Sequence, residues 1–302
     1  MIRRRVLITG AGGFAGSALS LGFAKLGWEV IALDRAFDDR PGHEAIRRVT
    51  VELTEGVPEA VPGVDLVVHA AWVTTDPETL GVTPDGYLAL NLRPLEKVLE
   101  YATRTCPRAF VFVSSSGVFA AEDAVGGLTD ADQPTGASPY AVAKLAGESL
   151  VQTSLDHGTA VHVVRLGYLF GPGEMAIPSR LRVSLVAAWV AAARAGEPLV
   201  VRSDDPVRDW TFTADLAGAL ERLADEAAAG RPIHLGSPHA CSDSEFVELI
   251  ARVVPAATRI TQPAGGQVKP PMVPSDVAAL RDFQWTDPAA GLQLLLTEEV
   301  AA

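Results

Sequence analysis

Val6-Leu7-Ile8-Thr9-Gly10-Ala11-Gly12-Gly13-Phe14-Ala15-Gly16 decides how the rest of this chain is read. A short apolar run, strand-like in its β-branched residues, meets glycines at a three-residue spacing, and a helical pattern over Phe14 to Leu26 follows. In that setting Gly10 permits a tight turn and Gly13 lets the backbone approach a pyrophosphate. Gly16 allows the helix to pack closely on the strand, so that phosphates meet the helix N-terminus, where Phe14 is the first residue. Strand-to-helix turns also use glycine for local reasons, and Asp34 is what separates the two readings. It ends the next strand, where a carboxylate accepts hydrogen bonds from ribose hydroxyls and repels a 2′-phosphate. NAD is therefore expected rather than NADP, although Arg35 next door would accommodate the extra phosphate if Asp34 turned away.

Outward from this loop, short β-branched runs alternate with longer helical patterns. Strands are expected at Val6 to Thr9, Val30 to Leu33, Arg48 to Leu53, Leu66 to His69, Phe110 to Ser114 and Val161 to Leu166. Helices are expected at Phe14 to Leu26, with Gly27 as a stop, at Tyr87 to Arg104 and at Pro139 to His157. Successive βαβ units predict an α/β fold, a Rossmann-type doubly wound parallel sheet in three αβα layers, with a smaller C-terminal substrate domain. After Gly171 the regularity ends: a helix near Arg180 to Ala195, a Pro-bounded strand, and a helix around Asp215 to Ala229. The expected division is 1–170 as the NAD-binding part, with 212–236 returning to it, and 171–211 and 237–302 as the smaller substrate-binding part.

Composition narrows the function. The 302 residues are 48% hydrophobic and 21% charged, which suits a globular core. A formal net charge of -12 opposes a phosphate backbone or an anionic membrane, and the one basic cluster, Arg3-Arg4-Arg5, reads as a solvated strand entry. Neither a nucleic acid nor a membrane is expected as partner. Cys106 and Cys241 build no disulfide framework and stand in no metal-ligand spacing, so no metal is expected and a reducing cytoplasm is.

The chemistry is expected in Ser138-Pro139-Tyr140-Ala-Val-Ala-Lys144. Ser138 caps a helix that begins at Pro139, and four-residue spacing puts Tyr140 and Lys144 on one face, about 6 Å apart along the axis. A phenol with an ordinary pKa of ~10 needs about 4 kcal/mol to act as a base near neutrality. One ammonium at ~4 Å and an effective dielectric of ~20 supplies about that much. Lys144 is thus expected to lower the pKa of Tyr140; the bland alternative is a half-buried aromatic beside a solvated lysine.

Several further segments fall in one order along the chain: Val68-His69-Ala70-Ala71, Asn91, Val113-Ser114-Ser115-Ser116, Arg165-Leu-Gly-Tyr168-Leu-Phe-Gly171-Pro-Gly173, Arg208-Asp209-Trp210 and His234-Leu-Gly236. With the glycine loop and Tyr140-x-x-x-Lys144, they resemble the extended short-chain dehydrogenase/reductase family, of the NAD-dependent epimerase/dehydratase type, over nearly the whole length. The resemblance implies a serine that hydrogen-bonds the substrate oxygen three residues before a Val-aromatic pair. Val118-Phe119 points to Ser115, with Ser116 as the alternative and as a substrate contact. It also implies Glu52 or Leu53 near the adenine, Ala70, Ala71 and Asn91 along the cofactor groove, and Lys144 on the nicotinamide ribose. Arg208 matches an arginine that meets anionic substrate groups, against the alternative of a structural Arg208 to Asp209 pair. Relatives commonly dimerise through two helices, here those of Tyr87 to Arg104 and Pro139 to Leu155, so a homodimer is expected.

Two departures bear on substrate. Relatives that eliminate water carry an acidic pair where this chain has Ser116 and Gly117, which disfavours a 4,6-dehydratase. Many nucleotide-sugar enzymes carry Asn where this chain has Tyr168, counted as a substrate contact here. Three readings stay open: a dehydrogenase or reductase acting at a secondary alcohol or ketone of a sugar, sugar acid or related polyol; a UDP-sugar epimerase that holds its NAD tightly; and a non-catalytic dinucleotide sensor.

Overall fold

The computed structural model describes residues 3–37, 42–123, 127–155, 158–177, 180–254, 258–265 and 268–298. The first half runs β1 (Arg5–Thr9), α1 (Phe14–Lys25), β2 (Glu29–Asp34), β3 (Ile46–Thr50), β4 (Leu66–His69), a short α2 (Pro77–Leu80), α3 (Pro84–Thr105) and β5 (Ala109–Ser115). It continues with α4 (Pro139–Ser154), β6 (Ala160–Leu166), β7 (Tyr168–Phe170), α5 (Leu185–Ala195), β8 (Leu199–Arg202) and β9 (Val207–Phe212). The chain then forms α6 (Leu216–Ala224), β10 (Ile233–Leu235), β11 (Ala240–Ser242), α7 (Asp243–Val253), β12 (Arg259–Gln262) and α8 (Pro288–Glu298).

Seven parallel strands form the central sheet in the order β3-β2-β1-β4-β5-β6-β10. Successive side chains of a strand face opposite sides, and both sides of the inner strands are covered, so β1, β2, β4 and β5 are almost continuously apolar, whereas the edge strand β3 keeps Arg47 and Arg48 exposed. Val6, Ile8, Val30, Ala32, Val68 and Val111 pack beneath α1 and α6 through Leu19, Phe23, Leu220 and Leu223. Leu7, Ile31, Leu33, Val67, Phe110 and Phe112 pack on the other face against Leu95, Val98 and Val151 of α3 and α4. Strand order reverses between β1 and β4, which opens a crevice at their carboxyl ends, the place where doubly wound sheets take ligands.

A third cluster joins Trp189, Trp210, Phe170, Phe212 and Phe246 with α7 and α8. Here β9 lies between β7 and β11, and β8 pairs with β12. Arg208 on β9 is buried and makes a two-pronged ion pair with Asp243 of α7, at 2.6 and 3.0 Å. The structural partner of Arg208 is therefore Asp243 and not Asp209. Asp209 points the other way along the strand, 3% exposed, and burial pushes its pKa up from 3.8 to about 6, while Lys269 pulls it down.

Most expected elements differ from the observed ones by a residue or two at their ends. The larger differences have local causes. The strand expected through Leu53 stops at Thr50, because Glu52 accepts from the Thr54 amide and caps a 3-10 turn over Leu53–Glu55. The helix expected from Arg180 begins at Leu185, where the Ser184 hydroxyl accepts from the Ala187 amide. The helix expected to reach Ala229 ends at Ala224. The expected end at His157 lies outside the described residues.

Two predictions follow from packing and burial. Gly10 has φ +70°, and a Cβ there would lie 2.5 Å from the Ala71 nitrogen; Gly10→Ala should lose about 2 kcal/mol or more in urea unfolding, and an unchanged midpoint would refute the close approach. An acid whose folded pKa is raised loses stability as pH rises from its unfolded to its folded value. Asp209→Asn should thus gain about 2 kcal/mol relative to wild type between about pH 4 and pH 7, and a pH-independent difference would exclude the buried carboxylate as its source.

Candidate active site

The carboxyl ends of β1, β2, β4, β5 and β6 and the loops that follow them surround a cavity of about 720 Å³. Gly10, Gly13, Phe14, Gly16, Asp34, Arg35, Glu52, Leu53, Ala70, Ala71, Asn91, Ser115, Tyr140, Lys144 and Tyr168 line it; Ser116 and Arg208 do not.

At one end, α1 begins after Gly13 with no side chain capping its first turn. A Cβ on Gly16 would lie 2.1 Å from the Gly10 carbonyl oxygen, which is why the helix can press so closely on the turn. The uncapped amides of Phe14, Ala15 and Gly16 are donors available to a phosphate, so the loop fits a dinucleotide. Asp34 is held by backbone: one oxygen accepts from the Gly12 amide at 2.9 Å and the other from the Arg35 and Ala36 amides at 2.7 and 3.3 Å. Each oxygen keeps accepting capacity for a ribose hydroxyl. Asn91 accepts from the Val73 amide at 2.8 Å and donates to the Tyr87 carbonyl, while the Tyr87 hydroxyl donates to the Val73 carbonyl. Both residues thereby fix the loop after β4 that carries Ala70 to Thr74.

At the other end stand the serines, Tyr140 and Lys144. Pro139 starts α4 and the Ser138 hydroxyl accepts from the Ala141 amide. The strand ends at Ser115, whose hydroxyl accepts from the Gly117 amide at 3.0 Å and, like the Tyr140 ring, lies against Gly117. A 3-10 turn then carries Ser116 inward, 4% exposed and off the cavity wall where a substrate contact was expected of it, while Ser115 stays on that wall. Gly117 leaves room for the phenol: a Cβ there would lie 2.8 Å from Tyr140 Cε1.

Lys144 is buried rather than solvated. Its Nζ donates to the Val113 carbonyl at 2.7 Å and lies 3.8 Å from the centre of the Trp72 ring. Burial pushes its pKa well below the ordinary lysine value, with Glu148 opposing. The electrostatics of Tyr140 differ from the expectation. Burial raises the phenol's pKa, and the groups that pull it down are the Ser115 hydroxyl and the charge of Arg180, not Lys144. Burial disfavours the charged form of Lys144, which weakens the cation on which the expectation relied.

Beneath them lies a buried polar cluster. Arg165 makes a two-pronged ion pair with Glu148, at 3.0 and 2.7 Å, and Ser114 donates to the same carboxylate at 2.5 Å. Glu148 was not expected from the sequence, yet it stands four residues beyond Lys144 on the face that carries Tyr140. Arg180 was missed as well, and nothing in its sequence neighbourhood marks it. Tyr168 lines the cavity with its ring under the Arg208 guanidinium at 4.5 Å, and Lys269 approaches the same ring at 5.8 Å. Arg208 is spent on Asp243 behind that ring, which corrects its expected direct substrate contact.

Comparison with known proteins agrees with this geometry. A family model described as the NAD dependent epimerase/dehydratase family matches residues 6–236. A dTDP-4-dehydro-6-deoxy-D-allose reductase of a Streptomyces species is 31% identical over 252 residues, covering 74% of this chain and 73% of its own. An uncharacterized UDP-glucose epimerase of Bacillus subtilis is 25% identical, covering 98% of this chain and 97% of its own. Among solved structures, an epimerase of Methanothermobacter thermautotrophicus superposes with a TM-score of 0.81 at 26% identity, covering 99% of this chain and 94% of that one. The chain belongs to the NAD dependent epimerase/dehydratase family.

Proposed function

We propose that the protein is an NAD-dependent oxidoreductase that moves a hydride at a secondary alcohol or ketone of a sugar, sugar acid or related polyol. The observation that carries this reading is that Ser115 and Tyr140, brought together against Gly117, stand with Lys144 on the wall of the cavity that the glycine loop opens into. The reductase name of the Streptomyces relative supports it. Ser115 orients the substrate oxygen, and Tyr140 takes the hydroxyl proton as the carbinol carbon is oxidised, or returns it on reduction. Bound NAD supplies the two-electron acceptor. Lys144 holds the nicotinamide ribose, Asp34 the adenosine ribose, and Gly13, Phe14 and Gly16 the pyrophosphate. Glu52 and Leu53 lie toward the adenine.

A second reading, a UDP-sugar epimerase that cycles its NAD internally, is favoured by the near full-length match to the Bacillus subtilis relative. It uses the same residues and differs in releasing no NADH.

We also propose the division into 1–170 with 212–236 as the NAD-binding part, and 171–211 with 237–302 as the substrate part. A homodimer through α3 and α4 is proposed on the exposed apolar Leu90 and Val142, and a cytoplasmic location on the two unpaired cysteines. Among the described residues no helix is long and apolar enough to cross a membrane.

Protein purified without added cofactor, denatured and assayed for released NAD, then screened with sugars, sugar acids and UDP-sugars by NADH absorbance, separates the two enzymatic readings. Added NAD reduced by cofactor-free protein is the expected result; retained stoichiometric NAD with no net NADH favours the epimerase. Tyr140→Phe should leave NAD binding within about threefold and lower kcat by about 100-fold or more, and retention of most activity would remove Tyr140 from the chemistry. Light scattering should give twice the chain mass of 31.7 kDa, and a monomer would end the dimer proposal.

A further inference from the structure

The loop between β7 and α5 carries a cation that the reaction scheme above leaves without a task. Arg180 pairs with Glu174, whose side chain is 2% exposed, and the guanidinium lies against the Phe14 ring at 5.2 Å. Glu174 is itself fixed, because it accepts from both the amide and the hydroxyl of Ser184, the residue that caps α5. The carboxylate of Glu174 is thus shared among three donors and satisfies one prong of the guanidinium. The other terminal nitrogen, Nη1, is buried and has no hydrogen-bond partner. Arg180 lines the cavity, and its charge acts on the Tyr140 phenol.

A buried guanidinium N–H without an acceptor is costly, and such groups are ordinarily satisfied. The acceptor has to come from what occupies the cavity. The guanidinium shares the cavity wall with both Phe14 and Tyr140, and its charge acts on the phenol, so an anion bound to it is within reach of the reacting end of the ligand. We propose that Arg180 is the specificity-determining residue of this site and that it binds a carboxylate carried by the sugar substrate, which makes the preferred substrate a sugar acid. A planar guanidinium with Nη2 anchored on Glu174 and Nη1 open is shaped for an anion such as a carboxylate. Arg208, the arginine expected in this role, does not line the cavity, and Asp243 holds its Nε and Nη2.

The inference rests on the hydride-transfer reading only for which end of the cavity is reactive, and its test needs no turnover. NAD-saturated full-length protein, wild type and Arg180→Gln, is titrated calorimetrically with two pairs of probes: D-glucuronate against D-glucose, and UDP-glucuronic acid against UDP-glucose. Members of each pair differ only in the carboxylate. Arg180→Gln should weaken the acidic member of the pair that binds by about 10- to 100-fold, and the neutral member and NAD by less than about threefold. Arg180→Lys, which keeps a cation beside Glu174, should restore part of the loss and guards against a folding defect in the Gln variant. Equal loss within a pair, a comparable loss of NAD affinity, no loss at all, or failure of every acidic probe to bind wild type would each overturn the assignment. Equal loss would give the guanidinium to a substrate diphosphate, and loss of NAD would give it to the dinucleotide pyrophosphate. A selective loss of the acidic probe from a protein that transfers no hydride would sink the functional reading and leave this one standing.

Discussion

The ion pair between Arg165 and Glu148 holds three elements in one geometry. Arg165 is the last residue but one of β6, Ser114 the last but one of β5, and Glu148 sits on α4; its carboxylate binds the other two with hydrogen bonds of 2.5 to 3.0 Å. Both charges are almost wholly buried. Removing one partner of such a pair costs about 3–5 kcal/mol, a large part of the roughly 5–15 kcal/mol that keeps a domain folded. Its consequence for the site is positional. One turn above Glu148 is Lys144 and one turn above that is Tyr140, so the clamp that fixes Glu148 also sets the height and rotation of both against Ser115. The cluster is an expensive way to stabilise a core, and its return is the placement of a phenol.

Charge is divided along the cavity. Asp34 and Glu52, with Arg35 beside them, lie at the end near β2 and β3; Lys144 lies at the end near β5, and Arg180, on the loop before α5, reaches the wall against the Phe14 ring. A chain of net charge -12 thus places two basic side chains on the wall that carries its phenol. Lys144 is desolvated and engaged, which suits it to holding a ribose hydroxyl more than to acting through space. Arg180 is the group whose field reaches the phenol. The burial that raises the pKa of Tyr140 also excludes water, and a charge acts more strongly on its neighbours in such a setting.

The sheet and its glycine loop were legible because local pattern and global fold agree there. Strands covered on both faces must be continuously apolar, and a turn with φ +70° at Gly10 must be glycine. The Tyr140 to Lys144 spacing was legible for the same reason, since helix geometry alone brings the two together, and Glu148 could have been read by one further step of four. The choice between Ser115 and Ser116 was not, because it depends on where β5 gives way to a 3-10 turn, and that turn depends on a hydrogen bond to the Gly117 amide. Arg208 was misread because its partner is 35 residues away on another element, and no local pattern announces such a pair. Arg180 was read as helix, and its actual position depends on Ser184 and Glu174 closing the loop in front of α5.

These misreadings have one physical content. Sequence order locates an arginine, but which arginine is available to a ligand depends on which acids have already been satisfied. Asp243 takes Nε and Nη2 of Arg208, which stays off the cavity wall, whereas Glu174 divides itself between Ser184 and Arg180 and leaves Nη1 of Arg180 over on that wall. The difference moves anion recognition from behind Tyr168 to a point beside the reacting hydroxyl. Contacts near the reacting carbon are the ones that change as the carbon is oxidised or reduced, so binding energy spent there discriminates in the transition state as well as in the ground state. Selecting a substrate by a carboxylate next to Tyr140 therefore couples recognition to chemistry, where an anchor on a distant phosphate would serve affinity alone.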